Sequence, residues 1–204
     1  DPRYGADYPG RCPGQIVANL LWLYTAGGDR VLDPFAGSGT TIDVCKAMGR
    51  EALTYDVNPI RKDIKQGAAL TLEIPDNHAD LAFLDPPYGQ QKRGEYSGDA
   101  ADFSRLSVSE FMSSMEELYR LCRKWLRPAG HVVTLISSMR HSGTFVDLPC
   151  ELYKAMQNAG MQPCEHIITN FGNAASVNGP WISAARDRQM LLRTHRHILC
   201  GRKP

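Results

Sequence analysis

The chain has 204 residues, enough for one compact domain and too few for a second full enzyme domain. Hydrophobic residues make up 43% and charged residues 22%, close to the average of soluble domains, which excludes a disordered chain. Twenty-three Lys and Arg stand against 22 Asp and Glu, a net charge of +1, so any affinity for a polyanion must come from a local patch. The longest apolar runs, 16–24 and 132–136, are too short to span a bilayer. Six cysteines (Cys12, Cys45, Cys122, Cys150, Cys164, Cys200) include no C-x-x-C pair, and this points to reduced thiols in an intracellular, cytoplasmic protein.

In chain order, Ile16, Val17, Leu20, Leu21 and Tyr24 recur at helical spacing behind Pro13. Residues 30–35 read as a buried strand. Gly37 and Gly39 then turn the chain into a helix stopped by Gly49. A second strand is expected over 52–57, a weak third over 69–74 and a clear fourth over 81–84. The segment 89–105 lacks apolar periodicity and reads as a long mobile loop. Ser107 and Glu110 form a capping box in front of a five-turn apolar periodicity ending near Leu126. A strand over 131–137, a helix over 147–159 and strands over 164–169 and 195–201 complete the chain. The alternation predicts an α/β fold with a mainly parallel sheet, an antiparallel edge and helices on both faces.

Three places carry chemistry. The first is DPFAGSGTT over 33–41. Two glycines between a strand and a helix let a ligand approach the backbone and meet the amides of the helix start. Asp33 beside them would repel a phosphate but accept from an ammonium or a hydroxyl, and no Lys follows to make a phosphate loop. The second is Asp56, at the end of the next strand, where an acidic side chain meets a ribose. The third is Asp85-Pro86-Pro87-Tyr88. Two prolines after a buried strand remove two N–H donors, which leaves outward carbonyls and an acceptor-only carboxylate beside an aromatic ring. Such a cluster suits an amino group on a planar ring.

The segments 33–41 and 85–88 resemble motifs I and IV of the S-adenosylmethionine-dependent amino-methyltransferases, which modify the exocyclic amine of adenine or cytosine in DNA. The likeness extends over most of residues 8–137. It implies a Rossmann-like class I methyltransferase fold in one domain over 1–204, with no separate target-recognition domain. It also implies that S-adenosyl-L-methionine is the cofactor and DNA the partner. By the resemblance, Asp33, Pro34, Phe35, Gly37, Ser38 and Gly39 line the cofactor, with Thr40 and Thr41 at the helix start. Asp56 takes the ribose, and Cys12 and Pro13 come from the segment that packs on the methionine end. Asp85 and the carbonyl of Pro86 accept from the target amine, Pro87 fixes the turn, and Tyr88 stacks on an extruded base. No metal is implied.

Asp at the head of the tetrapeptide favours adenine N6. Cytosine N4 in DNA, guanine N2 or adenine N6 in RNA, and a catalytically silent binding subunit are the alternatives. With no room for a recognition domain, the substrate-contacting residues are sought in two stretches. Lys92, Arg93 and Tyr96 lie in 89–105; Asn173, Asn178, Trp181 and Arg186 lie in 169–188. A homodimer or a larger partner is the other source of recognition. Arg186, Arg188, Arg193, Arg196, Arg202 and Lys203 against Asp187 give the last 19 residues a net +5, read either as a phosphate-contacting patch or as a solvated edge. His131, His195 and His197 lack ligand spacing and are assigned structural roles.

Overall fold

The computed structural model describes residues 3–6, 11–88, 102–170 and 179–204. Its main sheet is built from β1 (Arg30–Asp33), β2 (Glu51–Asp56), β3 (Lys65–Gln66), β4 (Ala79–Leu84), β5 (Leu126–Ile136), β8 (Gln162–Asn170) and β9 (His195–Arg202). The spatial order is β3-β2-β1-β4-β5-β9-β8. Strands β1 to β5 run parallel; β9 is antiparallel to both β5 and β8. The chain therefore winds outward from β1 to β3, returns to β4 and winds the other way, which puts the reversal of strand order between β1 and β4.

Among the described residues α1 (Gly14–Tyr24), α2 (Thr40–Met48), α3 (Val108–Trp125) and α4 (Leu148–Asn158) cover the sheet, and α5 (Gly179–Asp187) is largely exposed. All six residues of β4 are buried, as a central strand covered on both faces requires. One apolar layer joins Val17, Leu20 and Leu21 of α1 and Val44 and Cys45 of α2 to Val31, Leu81, Phe83, Val133 and Leu135 of the sheet. The opposite layer joins Met115, Leu118, Tyr119 and Cys122 of α3 and Leu152 and Met156 of α4 to Leu32, Ala82, Leu84, Val132 and Ile136. Odd and even strand residues thus feed different cores, the consequence of the two-residue period.

Local signals explain most boundaries. The Ser107 side chain accepts from the Glu110 backbone N–H at 3.3 Å and Glu110 returns a bond to the Ser107 N–H at 2.8 Å, so α3 starts where the capping box places it. Gly39 and Gly49 bracket α2 with φ of 80° and 71°, a region favourable to glycine. Asp147 caps α4, and Gly160 follows it with φ 78°.

Several expectations are corrected. The stretch 69–74 is not a strand: Ala69–Thr71 forms a 3-10 turn whose Ala69 is buried in the core, and Pro75 bars further extension. Strand β5 begins at Leu126, directly after α3, although Pro128 and Gly130 suggested a break. The β4–β5 register shifts between Ala79 and Leu81, and at such an irregularity a proline costs no ladder bond. A hairpin of β6 (Met139–His141) and β7 (Thr144–Val146) follows β5 and was not foreseen, its arms being three residues each. Within 89–105, the described end is ordered into the core: Asp102 caps a 3-10 turn over Phe103–Arg105, with Phe103 and Ser104 buried. Within 169–188, Gly179–Asp187 is helical.

The six cysteines are free, four of them buried. Tyr24 stacks on His131 with ring centroids 4.5 Å apart, a packing role for that histidine. No described helix is long and apolar enough to cross a membrane.

The Tyr119 hydroxyl and Thr134 Oγ1 pair at 2.9 Å between α3 and β5, both fully buried. Tyr119→Phe strands the threonine hydroxyl and is expected to cost about 1–3 kcal/mol in urea unfolding. Adding Thr134→Val should recover part of that loss; additive losses would show that the two groups do not interact.

Candidate active site

In an open α/β sheet, ligands bind outside the carboxyl ends of the strands where the strand order reverses. Here that position is flanked by Asp33, the last residue of β1, and Asp85, the first residue after β4. Asp33 is 2% exposed. One carboxylate oxygen accepts from the Phe35 N–H at 2.9 Å and the other from the Thr41 hydroxyl at 2.5 Å. Burial is the main reason its carboxyl is pushed up to about 7; the bonds from Thr41 and Phe35 oppose it, and the nearby Asp85 and Asp56 add to it. Among the described residues Asp33 has no ion pair.

The turn after Asp33 is held by its neighbours. Asp56, at the end of β2, accepts from the Gly37 N–H at 2.9 Å and from the Asn58 N–H at 2.9 Å, which ties the glycine turn to the second strand. Gly37 and Gly39 have φ of 44° and 80°. A Cβ on Gly39 would lie 2.5 Å from the Arg61 guanidinium. Arg61 itself bonds Asp43 on α2 and Asp63 through paired contacts of 2.7–2.9 Å. The N-terminal segment joins here as well: the Gly5 N–H donates to Asp43 at 2.8 Å, the Ala6 N–H to the Ser38 carbonyl at 2.8 Å, and the Thr40 hydroxyl to the Cys12 carbonyl at 3.2 Å. Asp33 to Thr41, Asp56 and the segment carrying Cys12 and Pro13 are therefore brought together. The hydroxyls of Thr40 and Thr41 are spent on the protein, with both residues buried.

The second half of the site is the turn at 85–88. The Asp85 carboxylate forms a paired contact with the guanidinium of Arg196 on β9, through Nη2 on Oδ1 and Nη1 on Oδ2, the latter at 3.4 Å. Both side chains are 16% exposed. Burial pushes the Tyr88 hydroxyl above the usual phenol range. The Tyr88 ring tilts against Phe111 at 6.4 Å; Phe111 meets Phe103 at 6.0 Å, which meets Phe35 at 5.1 Å. These four rings run from the glycine turn to the proline turn. A narrow cleft opens beside Tyr88, lined by Val108, Phe111, Met139, His141 and Leu148.

Sequence reasoning missed Arg196, Asp43, Arg61, Phe103 and Phe111. For Arg196 a signal existed: with Ile198 and Cys200 it occupies alternate positions of β9, and those two are buried, so a charge on that face needs a partner. The reading of Arg196 as part of a C-terminal phosphate patch is therefore corrected. The patch is also divided by the strand itself. Arg202 is the last residue of β9, and Lys203 donates to Asn77 at 2.8 Å and to the Leu126 carbonyl at 2.6 Å, at the opposite edge of the sheet from Arg196. Eight strand residues span roughly 25 Å. Arg193 donates to the Ser138 carbonyl near Tyr88. Trp181 and Arg186 are exposed on α5; Lys92, Arg93, Tyr96, Asn173 and Asn178 lie outside the described residues.

Sheet order and site position together define the fold of the Rossmann-like methyltransferases. Over 94% of this chain and 95% of the other, the fold superposes on a SAM-dependent methyltransferase from Archaeoglobus fulgidus, with a TM-score of 0.59 at 15% identity. The family is narrower than the fold. Residues 2–66 match the DNA methylase model of the N6/N4 type, so the first third of the chain carries the signature that its glycine motif resembles. Among curated relatives, the type II methyltransferase M.BglII of Bacillus subtilis is 26% identical over 100 residues, 48% of this chain and 26% of that protein. The type II methyltransferase M.MthZI of Methanothermobacter thermautotrophicus is 36% identical over 52 residues, 26% of this chain and 15% of its own length. The matched part spans about a quarter or less of these relatives. The family match includes 33–41 and ends before Asp85.

The raised carboxyl of Asp33 has a consequence for stability. Its folded value, about 7, lies above the ordinary 3.8, so its contribution is fully present below pH 4 and is lost as pH rises toward and through 7. The stability difference between the native chain and Asp33→Asn should therefore shift against the native chain over that interval in urea titrations. A difference independent of pH would show that Asp33 ionises freely.

Proposed function

We propose that the chain transfers the methyl group of S-adenosylmethionine to the exocyclic amine of a base extruded from DNA, with adenine N6 preferred to cytosine N4. The observation that carries this reading is the meeting of two acceptor sets at the β1–β4 reversal. One is a cradle of glycine backbone with Asp33 and Asp56. The other is Asp85 with the proline carbonyls.

The cradle fits the cofactor on its own chemistry. A buried carboxylate with no ion pair among the described residues is stabilised by an ammonium, and Asp56 retains lone pairs on both oxygens for ribose hydroxyls. The turn has no Lys to hold a phosphate. Cys12 and Pro13 close the cradle from the side of α1. When bound, S-adenosylmethionine supplies a methyl group already activated by its sulfonium, and this chemistry needs neither a metal nor a covalent enzyme intermediate.

The work of the protein is positional. The lone pair of an exocyclic amine is delocalised into its ring. Asp85 and the Pro86 carbonyl, by accepting both N–H bonds, favour a pyramidal nitrogen whose lone pair faces the donor, and the rate gain comes from that alignment. Pro86 and Pro87 keep the turn rigid and offer no N–H to compete. Tyr88, held at its ring by Phe111, provides the face on which an extruded base stacks, offsetting part of the unstacking cost of a few kcal/mol. Strands β4 and β8 both end on the edge of the sheet that holds the site, and the candidate stretches 89–105 and 169–188 follow or include those ends in sequence. Substrate contacts by Lys92, Arg93, Tyr96, Asn173, Asn178, Trp181 and Arg186 belong to this reading.

Incubation with labelled S-adenosylmethionine and duplex DNA or transfer RNA, followed by digestion to nucleosides, tests the proposal: label in N6-methyladenine from DNA is expected. Label only in RNA, or in no nucleic acid, contradicts it. Calorimetry separates the two halves of the site. Asp33→Asn should weaken cofactor binding by about tenfold or more, the worth of one charged contact, whereas Asp85→Asn should leave it nearly unchanged and lower turnover by about a hundredfold or more. Because Asp33 must be ionised to receive an ammonium, cofactor affinity should rise with pH up to about 7 in the native chain and stay flat in Asp33→Asn.

A further inference from the structure

We infer that Arg196 is a positioning residue for the reacting amine: its guanidinium supplies the countercharge of Asp85 and aims that carboxylate into the site. This rests on the methyltransferase reading above.

The sheet order places β5 between β4 and β9, so Arg196 must reach across one strand to meet Asp85, about two strand spacings or roughly 10 Å between backbones. An arginine has that reach and a flat fork that grips both carboxylate oxygens. The fork is anchored from behind, because Nη2 also donates to the Leu135 carbonyl at 2.9 Å. Strand alternation fixes the direction: His195 and His197 point to the other face, where His197 bonds His166 at 2.8 Å. Arg196 Nε is buried without a hydrogen-bond partner among the described residues, and such a group is costly. The side chain is thus placed for its fork on Asp85 at the expense of its own full satisfaction.

The pairing leaves Asp85 usable. A carboxylate has about four acceptor positions; the fork occupies one on each oxygen, and the others remain for the N–H of a target base. Removing the guanidinium would leave the carboxylate in a poor environment. The groups around it are Asp33 from β1, with Asp56 beyond it, the Cys12 thiol from the segment before α1, and Tyr88 on its own turn. Arg193, the next cation toward Tyr88, is held on Ser138. An unpaired Asp85 carboxylate beside Asp33 would lose the fork that aims it and swing toward solvent, away from the amine it has to meet.

The test uses the full chain and the variants Arg196→Met and Arg196→Lys. Calorimetry with S-adenosylhomocysteine should give affinities within about threefold of the native chain for both, and kcat for DNA methylation should fall by about a hundredfold in Arg196→Met while KM for DNA changes little. Arg196→Lys, which restores the charge without the fork, should recover about tenfold of the loss. A native kcat in Arg196→Met overturns the inference, as does a loss of cofactor affinity that matches the loss of turnover.

A readout independent of activity is the urea double-mutant cycle of Arg196→Met with Asp85→Asn. Removing the second partner should restore part of the stability lost with the first; additive losses overturn the inference whether or not the native chain is active. Coupling in the cycle together with no methyl transfer by the native chain refutes the methyltransferase reading, and with it the role assigned to Arg196.

Discussion

The structure is organised around three carboxylates, one buried and two partly buried, at one place, the reversal of strand order between β1 and β4. Asp33 and Asp85 end neighbouring strands there, and Asp56 stands at the end of the next strand out. Carboxylates withdrawn from water require donors or cations. Asp56 takes the amide of Gly37, Asp33 takes a threonine hydroxyl and an amide, and Asp85 takes a guanidinium from two strands away. Each answer shapes the chain locally. The Asp56–Gly37 bond folds the glycine turn back onto β2, Thr41 draws the start of α2 onto β1, and Arg196 makes the antiparallel edge part of the site. Neither Asp33 nor Asp56 has an ion pair among the described residues, and burial is what raises the Asp33 carboxyl.

Much of this was legible in the sequence because the signals are local. The capping box of Ser107 and Glu110, the paired glycines after β1 and the proline pair after β4 each determine backbone over a few residues, and all three lie where the periodicity placed them. The parallel sheet with an antiparallel edge followed from the alternation of elements. What could not be read depends on distance in sequence. Arg196 and Asp85 are 111 residues apart, and only the insertion of β9 between β5 and β8 brings them together. Read linearly, Arg196 belongs to a basic tail; read on the strand, it shares a face with Ile198 and Cys200, while Arg202 and Lys203 sit at the far edge. Phe103 was lost in a polar stretch because one buried ring makes no period. The segment 69–74 looked apolar enough for a strand, but the two-residue β3 already ends that side of the sheet.

Fold alone does not decide chemistry, since one scaffold carries many activities. The narrower reading rests on what stands at the carboxyl edge. A cradle with carboxylates and no Lys after its glycines to hold a phosphate, next to an acceptor-only turn backed by an aromatic ring, is the basis of the proposed cationic methyl donor and amino-group substrate. The family match reaches only the cradle; the acceptor turn is supported by its own geometry. The antiparallel direction of β9 is what allows the two to be served together, because its amino end lies beside the carboxyl ends of the parallel strands.

The most direct test is a crystal structure of the chain with S-adenosylhomocysteine. The account predicts the amino acid end of that molecule beside Asp33 and Cys12, its ribose hydroxyls on Asp56 and its sulfur facing the open side of Asp85, with the Arg196 fork still in place. Density anywhere away from the 37–39 turn, or a bound molecule whose sulfur is screened from Asp85, would contradict it.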